Sequence, residues 1–161
     1  ALGARVRWKG LTLDANLMFA SGHKVFERWA WYSMHSGLRS TYYYQGDQRL
    51  MDRWQQPGDV TDVPKMVYST SSLSGGSGTT SRFLYDGDFM RLRDLSLNYT
   101  LPKSATDAIG FNRVDIFVKG LNLFTWTKDE LPFDPEVRAS GNFRITTPPL
   151  KSVSLGVNLN F

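Results

Sequence analysis

The sequence predicts an all-β fold, an antiparallel transmembrane β-barrel segment of about five strands with long loops at one end. Three observations carry this expectation. Apolar and polar residues alternate with period two over 2–9, 11–20, 89–101, 113–126 and 149–161, longer runs than a soluble sandwich normally uses. The connections segregate by size, short after the first and third runs and long after the second and fourth, as in an outer-membrane barrel. No window approaches the 18 consecutive apolar residues of a transmembrane helix, so any crossing would be made by strands. A strand as long as 149–161 would run roughly 43 Å, and a tilt of about 45° would give it roughly 30 Å of membrane normal.

The first two runs read as a hairpin. Ala4, Val6 and Trp8 alternate with Arg5 and Arg7, a tight turn falls at Lys9-Gly10, and Leu11, Leu13, Ala15, Leu17 and Phe19 share one face of the return strand. Residues 21–88 differ in kind: aromatic-rich, then turn-rich at "QQPGDVTDVPK", then low in complexity at "STSSLSGGSGTTS", with a short helix expected around Gln48–Trp54. A loop of this length is foreign to a compact soluble domain.

Alternation returns in "FMRLRDLSLNYTLPK". Leu95, Leu97, Tyr99 and Leu101 share one face, Met90 and Leu92 fall out of phase with them, and a bulge before Asp94 would reconcile the two. Pro102 ends the strand, and "KSATDAIGFN" allows one helical turn closed by Gly110. In "RVDIFVKGLNLFTW", Val114, Ile116 and Val118 share a face, with a phase shift expected near Gly120 toward Leu121 and Leu123. Residues 127–148 form a second long loop. The terminal strand alternates without a charge after Lys151: Val153, Leu155, Val157, Leu159 and Phe161 on one side, Ser154, Gly156, Asn158 and Asn160 on the other. A strand facing lipid on one side and water on the other needs that pattern, and pairing within a closed barrel would remove its free edge.

Composition narrows the function. There is no cysteine, so disulfides and thiolate metal sites are excluded. The charge of +4 is spread without a basic run, which gives no footprint for nucleic acid. The first ten residues lack the apolar core of a signal peptide. No catalytic constellation, cofactor motif or spaced ligand set accompanies His23 and His35. "DGD" at 86–88 lacks the other acidic ligands of an EF-hand and reads as a turn before a strand. Arg53, Asp59, Thr61 and Asp62 read as side chains that hold an ordered loop through its backbone.

Longer motifs add a resemblance. "RWQQPGDVTDVPK" (53–65), "SRFLYDGDFMRLRDLSLNYTLPK" (81–103), "VDIFVKGLNLFTWTK" (114–128), "FDPEV" (133–137) and "LKSVSLGVNLNF" (150–161) resemble, in order, the carboxyl-terminal part of SusC/RagA-like TonB-dependent outer-membrane transporters; "FASGHKVFER" also matches. Asp88 and Phe89 depart from the usual Ser-Tyr, and "TPPLKS" departs from the usual segment before the last strand. The resemblance implies a 22-stranded barrel with an amino-terminal plug in the outer membrane of a Gram-negative bacterium. It also implies a SusD-like surface lipoprotein as lid, TonB contacted through parts absent from this chain, and import of oligosaccharides or peptides rather than catalysis. Five strands cannot close, so residues 1–161 read as one carboxyl-terminal piece of a larger receptor barrel.

Within that frame Leu95, Leu97, Tyr99, Val153, Leu155, Val157, Leu159 and Phe161 are expected to face outer-membrane lipid. Trp8, Tyr99 and Phe161 would form one aromatic girdle, Phe124 and Trp126 the other. Trp29, Trp31, Tyr32, Tyr42, Tyr43, Tyr44 and Trp54 are candidates for contact with the lid or substrate, or for packing within the loop. The alternative is a soluble carbohydrate-binding or adhesive β-sandwich using the same aromatics. The apolar faces decide between the two, since they must look outward in a barrel and pack together in a sandwich.

Overall fold

The computed structural model describes residues 1–34, 46–67, 80–136, 141–144 and 146–161. It divides into two compact units: a sheet unit made of 1–22, 88–130 and 148–161, and a loop unit made of 23–87 and 131–147.

The sheet unit contains five antiparallel strands: β1 (Leu2–Trp8), β2 (Leu11–Ala20), β5 (Phe89–Thr100), β6 (Arg113–Thr127) and β8 (Ser152–Asn160). Their spatial order β1-β2-β5-β6-β8 follows the chain, so every strand pairs with the next strand of this unit. The β1–β2 turn has Lys9 and Gly10 both at positive φ (44° and 85°), the backbone of a two-residue hairpin turn that matches strand twist. Gly10 is required for a second reason, because a Cβ there would come within 2.8 Å of the Thr100 carbonyl oxygen. Between β5 and β6 lies a six-residue helix, α2 (Lys103–Ala108), which starts after Pro102 and is closed by Gly110 at φ 76°.

Register puts the apolar residues in rows. Trp8, Leu11, Tyr99, Ile116 and Val157 form one row across all five strands; Val6, Leu13, Leu97, Val118 and Leu155 form the next. The opposite face carries Arg5, Asp14, Ser96, Lys119 and Ser154 in one row and Arg7, Thr12, Asn98, Phe117 and Gly156 in another. The out-of-phase stretch of β5 is resolved as expected. Leu17 pairs with Leu92 and Asn16 with Asp94, so Arg93 is an extra residue and Met90 and Leu92 return to the apolar face. The phase shift expected in β6 does not occur. Asn122 takes φ 51° and Leu123 folds over Gly120, so Phe124 and Trp126 stay on the apolar face while Leu121 lies on the polar one. A left-handed residue can absorb an irregularity that a reading by period alone assigns to a flipped strand.

The apolar face has no second sheet packed on it among the described residues: Leu155 is 74% exposed and Val153, Val157 and Leu159 are all exposed. A sandwich would bury these side chains.

The described residues of the loop unit form short elements around a small core. β3 (Lys24–Glu27) lies between β4 (Leu84–Asp86), antiparallel, and β7 (Asn142–Phe143), parallel. It also holds α1 (Arg28–Ser33) and two short 3-10 turns, at Gln48–Asp52 and Ser81–Phe83. The first turn falls where a short helix was expected. β7 comes from the second long loop, so the two loops build one sheet together.

Candidate functional site

The loop unit has a small core of Ala30, Met34, Leu50, Val63 and Phe83, with Phe26 and Trp31 packed against it. Beside it sits a charge cluster. Glu27 is only 4% exposed. Its carboxylate accepts two hydrogen bonds from Arg49, at 2.8 and 3.0 Å, and one from the Tyr85 hydroxyl at 3.0 Å. Arg49 also donates to Asp47, at 2.7 and 3.1 Å, while Asp47 accepts the Arg49 backbone N–H and so caps the 3-10 turn. A buried carboxylate is tolerated only with this degree of pairing. The Arg49 hydrogen bonds hold the Asp47 carboxyl below the usual carboxylate range, and burial raises the Tyr85 phenol above its ordinary value. Tyr85 meets Phe133 edge-on and Phe133 stacks on Phe143 with centroids 4.3 Å apart, so Phe133 staples the second loop to the first by aromatic contact.

Of Arg53, Asp59, Thr61 and Asp62, the first three bond backbone groups of the first loop. Asp59 accepts the backbone N–H groups of Gln55 and Gln56, Thr61 accepts that of Val63, and Arg53 donates to the Leu50 carbonyl. Asp86 pairs with Lys24 at 3.4 Å, whereas Asp88, in the sheet unit, accepts the Gly22 N–H at 2.6 Å; "DGD" thus spends its carboxylates within the protein. The His23 ring fills the space above Gly87, whose Cβ would meet Nε2 at 2.4 Å. Among the described residues no group of three or more His, Cys, Asp or Glu could hold a metal.

The candidate aromatics separate by environment. Trp31 packs on the core, lies 5.7 Å under the Arg28 guanidinium, and meets Tyr32 with centroids 4.6 Å apart. Its indole Nε1 is buried without a partner. Trp29 is half-buried, and its carbonyl accepts the Ser33 hydroxyl. Tyr32 is exposed. Trp54 is half-buried, with the Lys65 ammonium 5.9 Å from its ring. Tyr42, Tyr43 and Tyr44 lie outside the described residues, as does His35. Sequence reasoning missed Glu27, Arg49 and Tyr85, because a single charge 22 residues from its partner has no periodic signature.

In the sheet unit, Leu97, Tyr99, Val153, Leu155, Val157, Leu159 and Phe161 are exposed and Leu95 is half-exposed. Trp8 and Tyr99 lie at the short-turn end; Phe19, Phe124 and Trp126 lie at the other, with Trp126 opposite Met90 and Met90 opposite Phe19. On the polar face, Arg5 pairs with Asp14, Arg113 with Asp115, and Lys119 with Asp94. The Phe117 ring covers Gly156 so closely that a Cβ would lie 2.4 Å from it.

An uncovered apolar face between two aromatic rows, backed by a charged and hydroxylated face, is the wall of a membrane barrel. The comparisons agree. TonB-dependent receptor P3 of Formosa agariphila is 32% identical over 123 residues, covering 70% of this chain and 12% of that protein. TonB-dependent receptor P39 of the same organism is 27% identical over 126 residues, covering 74% and 12%. Among solved structures, the RagAB peptide importer in its open-open state matches 96% of this chain and 16% of the compared chain, with a TM-score of 0.76 and 27% identity; the closed-closed state gives 0.74. No family model matches. The chain therefore spans about an eighth of the curated relatives it matches. Its class is that of TonB-dependent receptors. Within that class it is a homologue of the SusC/RagA-like receptors.

Proposed function

We propose that residues 1–161 are the carboxyl-terminal wall of a 22-stranded outer-membrane importer in a Gram-negative bacterium. In this reading Leu95, Leu97, Tyr99, Val153, Leu155, Val157, Leu159 and Phe161 face lipid, and the Arg5–Asp14 face lines the lumen. The observation that carries it is the five-strand apolar face, exposed and bounded by aromatic rows. The long connections, 21–88 and 127–148, leave the sheet at the Phe19 and Trp126 end, which this reading makes extracellular. There the loop unit would meet a SusD-like lipoprotein and the oligosaccharide or peptide it captures; the homologous importer is named for peptide import. TonB would act through parts of the receptor outside this chain.

The half-buried and exposed rings of α1 are the proposed contact, since such amphipathic rings anchor interfaces. Trp31 is omitted from the test because it packs on the core. In the full-length receptor, Trp29→Ala with Tyr32→Ala should weaken capture of the lipoprotein in a pull-down by about tenfold, the scale of an aromatic anchor. Undiminished capture and uptake, with normal amounts of receptor in the outer membrane, would leave these rings a packing role alone.

A further inference from the structure

The helix that carries Trp29 and Tyr32 does little to hold itself. α1 is six residues long, has no side-chain cap and no acidic residue in its first turn, and a helix this short is marginal on its own. It starts directly where β3 ends: Glu27 is the last residue of the strand and the residue from which the helix is launched. Two restraints fix Glu27, and both run through the second long loop. Its main chain is paired with Phe143 of β7. Its carboxylate makes no bond to the helix and is held by Arg49 and by the hydroxyl of Tyr85, the ring on which Phe133 sits. Phe133 in turn stacks on Phe143, which closes the circuit. β7 also lies against α1, and the Phe26 N–H donates to the Gly141 carbonyl at 2.8 Å. Gly141, at φ 67°, permits that approach, since a Cβ there would come within 3.0 Å of the Lys24 carbonyl oxygen.

We infer that Phe133 is a positioning residue: by seating the second loop on Tyr85 and Phe143 it fixes the launch of α1, and so sets how Trp29 and Tyr32 are presented to the lipoprotein. This role rests on the lid contact proposed above and adds the second loop as its control. Trp29 and Tyr32 are three residues apart, so they are neighbours on one helical face only while α1 is wound. Loosening the second loop frees Glu27, unwinds the first turn of α1 and separates the two rings. Coupling of this kind is reciprocal: lipoprotein bound at α1 must tighten the docking of the second loop by the same factor.

The test uses the full-length receptor and its own SusD-like lipoprotein, with amide hydrogen exchange followed segment by segment. Phe133→Ala should weaken capture of the lipoprotein about fivefold, the low end for coupled sites. It should also speed exchange across α1, while the Gln48–Asp52 turn, capped by Asp47, keeps its protection. Phe133→Tyr, which keeps the stack, should restore both. Phe133→Leu, which keeps bulk without the stack, should fall between them and serves if the alanine variant fails to assemble. In the unmodified receptor, added lipoprotein should slow exchange in residues 141–144. Unchanged exchange in α1 with both Phe133→Ala and Phe133→Leu would overturn the inference. So would equal acceleration in the Gln48–Asp52 turn, which would leave Phe133 a general packing role. Faster exchange in α1 with undiminished capture would instead overturn the lid contact at α1.

Discussion

The two units of this molecule are stabilised by opposite means. The sheet unit buries little: Phe89, Arg91, Thr106 and Val114 are its buried residues apart from glycine, and its apolar rows are left uncovered. In water such a face would be an aggregation hazard; in hydrocarbon it is the stabilising surface, and the ladder of backbone hydrogen bonds is what lipid demands. The loop unit hides Val25, Ala30, Leu50, Val63 and Phe83 and adds a buried carboxylate with three donors. It obeys the rules of a small soluble domain. On the proposed reading one chain answers to two solvents, and a substitution should harm one unit while sparing the other.

The largest separation is expected from charge on the apolar face. Leu155→Arg in the full-length receptor should cost roughly 2–4 kcal/mol near the bilayer midplane, whereas Asn158→Arg, on the opposite face, should cost under about 1 kcal/mol. Heat-modifiability on gels measures this, and equal yields of folded barrel would refute the assignment of faces. The converse is Glu27→Ala, which strips Arg49 and Tyr85 of a buried acceptor. Because the Arg49 side chain keeps 36% of its exposure, the cost should be about 2 kcal/mol, below that of a fully buried pair. Limited proteolysis should then cleave the loop unit while the barrel stays heat-modifiable. Gly156→Val should be milder, at about 1–2 kcal/mol, because the Phe117 ring can swing away from the new side chain. Adding Phe117→Ala should recover part of that loss.

The smallest effect is set by pH. The Asp47 carboxyl is held low in the folded loop unit, chiefly by the Arg49 hydrogen bonds. Its contribution is therefore fully present above the unfolded value of about 4 and is lost as pH falls through the lower folded value. Proteolytic protection of the loop unit should be flat from neutral pH to about 5 and decline only in stronger acid. A decline already present near pH 6 would mean that another group controls the loop.

What was legible in the sequence follows the same division. The strand faces could be read because an exposed apolar face and an opposite polar one impose period two, as in Val153 to Phe161. The bulge at Arg93 was legible because it breaks that period audibly, displacing Met90 and Leu92. The irregularity at Asn122 misled, because a left-handed backbone keeps Phe124 and Trp126 in phase and leaves no trace in the pattern. The loop unit was opaque. β3, β4 and β7 are four, three and two residues long, too short for any period, and β7 reaches β3 from across more than a hundred residues. Nothing in the sequence around Glu27 marks it as buried.

The irregularities of β2, β5 and β6 fall at one level of the sheet. Between the rows Leu17–Leu92–Phe124 and Asn16–Asp94–Leu121, β2 inserts no residue, β5 inserts Arg93, and β6 inserts Asn122 and Leu123. The staves of this wall are thus cut as a wedge, gaining one residue per strand toward β6. A planar sheet cannot take up such a gradient, so the surplus must go into bend and twist at the long-loop end. Removing Arg93 would bring Leu92 next to Asp94 in unbroken alternation, and removing Asn122 and Leu123 together would do the same for Leu121 and Phe124; either deletion would keep every face and lose only the taper. The shape of the rim and the wetting of the wall are therefore written in separable letters, and the first could drift in length while the second is held fixed.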